Sequence, residues 1–221
     1  MSVEYPTSDN DRKERCDTDS ESIISSETVS GNNTIYQIGK YNPEFWNKAD
    51  VVSKNNCYAY ACNIRVDKIP DPGYRKYNHL VKDINAFKIG IENDGLVEIT
   101  GKPVKGDKDN PVWRVAVFYW TDNNTGEAGN PFGYHFFREV WSKDSSVHNS
   151  NSNNICWAHK FHTGKVTNLT IRERDCNPPH VITDPEIEMK EMKKLDNSLK
   201  NIDINFLGYY LVTPNVKIGT E

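Results

Sequence analysis

The run Lys54-Asn55-Asn56-Cys57-Tyr58-Ala59-Tyr60-Ala61-Cys62-Asn63 holds the residue whose type and position point most directly to covalent chemistry. Asn55 or Asn56 can cap a helix there, with Cys57 in its first turn and Tyr58, Ala61 and Cys62 following at helical spacing. A thiol so placed faces unpaired backbone N–H groups and the positive end of the helix dipole, which favour its thiolate near neutral pH. Position alone does not make a nucleophile, since free cysteines commonly serve as small buried hydrophobes. A nucleophilic cysteine needs a base within reach, and the base needs a third polar group to fix its tautomer. His135 lies inside the apolar run Tyr134–Trp141, where an ionisable ring must have a partner or a task. His159 lies in Ile155–Phe161, between Trp157 and Phe161 on one face. Adjacent antiparallel strands set such side chains next to each other.

The remaining polar candidates have plainer readings. Asp184 is the alternative third member, although Asp184-Pro185 ahead of a helical pattern reads first as a cap and turn. His162 falls on the turn beside Thr163-Gly164 and is expected to face solvent, as are His79 and His180. The five cysteines are Cys16, Cys57, Cys62, Cys156 and Cys176, an odd number without the spacing of a disulfide scaffold. With no C-x-x-C pair, the pattern predicts no metal centre, and cysteine chemistry of this kind calls for no cofactor. Cys62 reads as core.

The elements that must position these residues follow from periodicity and turn chemistry. Pro70-Asp71-Pro72-Gly73 forces a turn after the Cys57 helix. Leu80, Val81, Ile84, Phe87 and Ile91 recur at helical spacing and predict a helix from Tyr77 to about Glu92, closed by Asn93-Asp94-Gly95. Strands are then expected at 96–99, 112–120, 134–141, 155–161 and 206–212, with a surface helix from Pro185 to Asn201 before the last. Helices leading and an antiparallel sheet following make an α+β domain. The polar stretch 142–154 reads as an exposed hairpin extension.

Composition bounds the possibilities. In 221 residues, 36% hydrophobic and 26% charged, one core plus a tail is the natural arrangement. Residues 1–30 carry eight acidic against three basic side chains, so that segment is −5 and the remainder +1 of a net −4. With almost no large apolar residues to bury, residues 1–33 read as a disordered acidic tail, and 34–221 as the folded domain. Near-balanced charge gives no general attraction to nucleic acid. No stretch approaches the ~20 apolar residues of a membrane span, and the N-terminus has no apolar signal core, so a cytoplasmic location or export without a classical signal peptide is expected.

The segments Asn56-Cys57-Tyr58-Ala59-Tyr60-Ala61-Cys62-Asn63, Tyr134-His135-Phe136-Phe137-Arg138 and Trp157-Ala158-His159-Lys160 with Gly164-Lys165-Val166 resemble the NlpC-type branch of the papain-like cysteine peptidases. More closely, they resemble a set of uncharacterised bacterial proteins with N-C-Y-x-Y-A-x-N, H-[WF]-[YF]-R and W-x-H-K segments. The resemblance implies a papain-like fold with N-terminal helices packed on an antiparallel sheet. It also implies Cys57 as nucleophile, His135 as general base and acid, and His159 as the orienting member. Two departures stand out: Tyr58 replaces the small residue that usually follows the nucleophile, and the Asn/Ser-rich insert lengthens the connection between the histidines.

The expected activity is cleavage of peptide or isopeptide-like amide bonds, the oxyanion held by the Cys57 N–H with a donor from Asn55 or Asn56. Expected partners are a peptide, a peptidoglycan fragment or a host protein. A deamidase or acyltransferase effector using the same site, and a non-catalytic binding module on the same scaffold, are the alternatives.

Overall fold

Short helices, three of the first five started by a side-chain cap, precede a long-stranded sheet. The computed structural model describes residues 41–79, 81–99, 112–121, 132–142, 155–172, 176–197, 199–200, 202–213 and 215–220. The expected tail and residues 143–154 of the polar stretch lie outside the described residues. Asn42 caps α1 (Pro43–Trp46) by accepting from the Phe45 amide, with Pro43 pre-set for the first turn. It is followed by α2 (Ala49–Val52) and α3 (Cys57–Cys62). All of α3 is buried, which is what sustains it, because a helix of six residues has too few internal hydrogen bonds to persist alone. It closes at Asn63, which takes the left-handed conformation (φ 52°), while the Ile64 amide donates to the Ala59 carbonyl at 3.0 Å.

After β1 (Pro70–Asp71) come α4 (Tyr74–Tyr77), which was not expected, and α5 (Ile84–Asn93), so that the helix expected over Tyr77–Glu92 begins only at Ile84. Left-handed Asn78 (φ 56°) ends the first, and Asp83 starts the second by accepting from the Ala86 amide at 2.9 Å. The apolar spacing survives in α5, where Phe87 and Ile91 are fully buried. Next come β2 (Val97–Glu98), β3 (Trp113–Thr121), β4 (Phe132–Trp141), β5 (Ile155–Lys160) and β6 (Val166–Thr167). The chain ends with α6 (Pro185–Leu195), β7 (Asp203–Val212) and β8 (Gly219–Thr220). The helix expected to reach Asn201 stops at Leu195, because Asp196 is extended (ψ 110°).

The architecture is α+β, with a six-stranded sheet in the order β2-β7-β3-β4-β5-β6 and a separate β1-β8 pair. The hydrogen-bonded neighbours in both sheets run antiparallel. Strand alternation divides the large sheet into two buried faces. On one, Val115, Val117, Phe136, Val140, Cys156, Ala158, Tyr210 and Val212 pack with Cys57, Tyr58 and the rest of α3. On the other, Ala116, Phe118, Phe137 and Trp157 pack under Met189 and Met192 of α6. Among the described residues no helix is long and apolar enough to cross a membrane.

Candidate active site

Cys57 is the first residue of α3, and Asn56 is its cap, with Oδ1 accepting from the amides of Tyr58 and Ala59 at 3.1 Å each. The helix is pinned to the sheet at two points beyond the thiol. The Tyr58 ring lies 4.9 Å from that of Phe136, and the Trp113 indole donates to the Ala61 carbonyl at 2.9 Å. The Phe136 amide, together with those of Tyr58 and Cys57, faces the sulfur.

His135 and His159 come from β4 and β5, on the α6 side of the sheet. Phe137 pairs with His159 across the strands, and His135 lies two residues before Phe137 on the same face. The two imidazoles meet directly, His135 Nε2 and His159 Nδ1 being 2.8 Å apart. Phe137 fixes both rings: it stacks on His159 at 4.8 Å and meets the edge of His135 at 4.9 Å. Phe161 closes over His135 at 5.8 Å.

Cys57 and His135 therefore arrive from opposite faces of the sheet, and strand register explains how they share a site. β5 pairs with β4 only from Trp141↔Ile155 to Phe137↔His159, so residues 132–136 of β4 have no β5 partner. Beyond Lys160 the chain leaves the sheet and turns through Phe161–Gly164, with His162 left-handed (φ 47°). At that gap both faces open into one cleft of about 330 Å³. Cys57, His135, Trp120, Tyr134, Phe161 and His162 line it. A second cleft of about 330 Å³ lies behind His159, between Leu169, Ile171 and Met192, and contains no cysteine.

Electrostatics here are dominated by burial. Cys57, His135 and His159 are 4%, 2% and 5% exposed. Burial pushes the Cys57 thiol up to about 12, outweighing the nearby amides and the charge of Lys160, which pull it down. Burial, with His159 and His162 adding repulsion, holds His135 well below the usual imidazole value. His159 is brought down to about 4 by burial. The cleft is thus lined by a neutral thiol and a neutral imidazole, whereas the helix-start argument predicts a stabilised thiolate. A short, fully buried helix does not make up for the lost hydration of the anion.

The side chains of Asn55 and Asn56 are occupied elsewhere, which corrects their expected role as oxyanion donors. Asn55 Nδ2 donates to the Val51 carbonyl (3.0 Å) and to Asp67 (3.5 Å), and its Oδ1 accepts from the Val66 amide (3.0 Å). Asn56 Nδ2 donates to the Pro70 carbonyl (2.8 Å) and to Tyr134 Oη (3.2 Å), so both of its protons are used. Asp184 caps α6, its Oδ1 accepting from the amides of Glu186 (2.8 Å) and Ile187 (3.1 Å). It is not among the residues lining the cleft, and the partner of His135 is His159.

Several cleft residues escaped sequence reasoning. His162 is exposed as expected, but it lines the cleft and acts on His135. Trp120 lies across Gly133 of β4: a Cβ built at position 133 would sit 2.2 Å from the indole, so only glycine admits the ring there. Tyr134 donates to Asp71 (2.9 Å), tying the cleft floor to β1. A glycine opposite a tryptophan in adjacent strands is the one local signal that pointed to this packing. Cys62 and Cys156 are buried and Cys176 is exposed. Comparison of the chain with protein-family models, with curated proteins and with solved structures finds no match.

Proposed function

We propose that the chain is a cysteine hydrolase of papain-like design that cleaves peptide or isopeptide-like amide bonds. The observation that carries the reading is the 2.8 Å His135–His159 hydrogen bond in the wall of the cleft that Cys57 also lines. With Nε2 of His135 engaged by His159, only Nδ1 is left to take a proton from the thiol. That role needs Nε2–H of His135 to donate to Nδ1 of His159, which fixes His159 as the Nε2–H tautomer.

In the reaction His135 Nδ1 takes the Cys57 proton as the sulfur attacks the carbonyl carbon, and the oxyanion rests on backbone amides at the start of α3. Collapse breaks the C–N bond, and His135 returns the proton to the leaving amine. Water, deprotonated by His135, then attacks the thioester; the carboxylic acid leaves and the thiol is restored. Because both groups rest neutral, proton transfer accompanies attack instead of preceding it.

The substrate classes this reading names are peptidoglycan fragments and host proteins. Incubation of wild type and Cys57→Ala with peptidoglycan fragments and with a cell lysate, followed by mass analysis, tests it. Expected are hydrolysed products, each cleavage adding one water, with wild type alone. Products that persist with Cys57→Ala contradict the reading. A wild type that forms tight complexes but no products favours the second reading, a binding module, which the high thiol value and the burial of Cys57 support.

A further inference from the structure

Lys160, the residue after His159, is fully buried, which a lysine tolerates only when its ammonium is well satisfied. Alternation along β5 turns it to the same face as Cys156 and Ala158, the face that packs against α3. Its Nζ donates to the Val52 carbonyl at 2.6 Å and to the Gly164 carbonyl. The first acceptor ends α2, just ahead of the segment that delivers Cys57. The second lies in the turn that carries Phe161, His162 and Thr163 into the cleft. Among the described residues the third donor of the ammonium has no acceptor. The charge favours the Cys57 anion, a smaller influence than the backbone amides, and burial pushes the Lys160 ammonium down to about 8.

We propose that Lys160 is a positioning residue for Cys57: anchored on the Val52 and Gly164 carbonyls, its buried ammonium fixes the two segments that flank the sulfur and supplies the positive charge that favours the thiolate during attack. The inference rests on Cys57 being the nucleophile. It assigns the proton and charge economy of the site to a residue outside the Cys57, His135 and His159 set. A purely structural lysine would hold the same two carbonyls without affecting how sulfur reactivity varies with pH.

The test is the rate of Cys57 alkylation by iodoacetamide from pH 6 to 10, mapped by mass spectrometry, with exposed Cys176 as reference in the same sample. In wild type the Cys57 rate should rise with pH and level off near 8, where loss of the ammonium removes its help to the thiolate. Lys160→Met should react about tenfold more slowly at pH 7, the usual effect of removing a close opposite charge, with the difference shrinking above pH 9. Lys160→Arg, charged throughout, should retain the reactivity and lose the levelling. A wild-type rate that climbs without a break to pH 10 overturns the proposal and needs no variant to fold. So does a Lys160→Met profile that matches wild type. Turnover of an activated ester by wild type and Cys57→Ala separates the two claims. Equal turnover removes the nucleophile and this inference with it, whereas Cys57-dependent turnover with an unaltered Lys160→Met profile removes this inference alone.

Discussion

At the scale of residues, the site is governed by the balance between burial and local donors. The Cys57 thiol, pushed up to about 12, is protonated at neutral pH, and while Lys160 keeps its proton, below about pH 8, the thiolate fraction grows about tenfold per pH unit. Alkylation of Cys57 should therefore rise steeply from pH 6 to pH 8. A rate already flat below pH 7 would mean a resting thiolate–imidazolium pair and would contradict the neutral pair described here. The partnership of His135 with His159 was legible in the sequence, because an ionisable ring in an apolar strand demands a partner. The direction of their titration was not: it depends on how much of α3 is covered, and that is decided by Phe136, Trp113 and other residues distant in the chain. The burial of Lys160 was hidden for the same reason, since a lysine in sequence reads as exposed.

At the scale of elements, caps and register do the positioning. Asn56 is both the cap of α3 and, through Nδ2, a clamp on Pro70 and Tyr134, so the sequence signal for a helix start was right while its side chain was occupied. Capping residues commonly read as candidate donors because both roles need the same short amide. Asp184 illustrates the opposite outcome, where the plainer reading of a cap describes the carboxylate fully. Asp184→Ala should lower stability by about 0.5–2 kcal/mol, the usual cost of losing an N-cap, in a urea unfolding curve. Its ester turnover should match wild type; a drop of about tenfold or more would place Asp184 in the site after all. Strand positions in the sheet were readable from alternation. The early departure of β5 from β4, which opens the cleft, was not, since no residue type marks where pairing stops. The break between α4 and α5 was marked by Asp83 as a cap, but the apolar spacing that runs through it concealed the break.

At the scale of the whole molecule, distant segments are tied by a few buried polar groups, and Asp94 is the clearest. Its Oδ2 accepts from Tyr58 Oη of α3 and from the Gly73 amide, both at 2.8 Å, and its carbonyl accepts from the Lys217 amide near the C-terminus. Burial raises this carboxyl to about 6, against the pull of the Gly73, Tyr58 and Arg75 groups, and its Oδ1 has no partner among the described residues. A folded-state value above the unfolded one means that the native state holds the proton longer. Stability from this group is full below about pH 4 and is lost as pH rises through about 6. Asp94→Asn keeps an acceptor for Tyr58 and Gly73 and cannot ionise. Relative to wild type it should gain on the order of 2 kcal/mol between pH 4 and pH 7 in denaturant unfolding; a gap independent of pH would refute the assignment. The same long-range assembly makes the site: α3, β4 and the turn after β5 each contribute one part, and none alone holds a cysteine and a base together. The most direct test is hydrolysis of p-nitrophenyl acetate by wild type, Cys57→Ala and His135→Ala, each checked for folding. Turnover by wild type, its loss in Cys57→Ala and a fall of about 10²–10⁴-fold in His135→Ala are the expected results; equal turnover by all three would contradict the central claim.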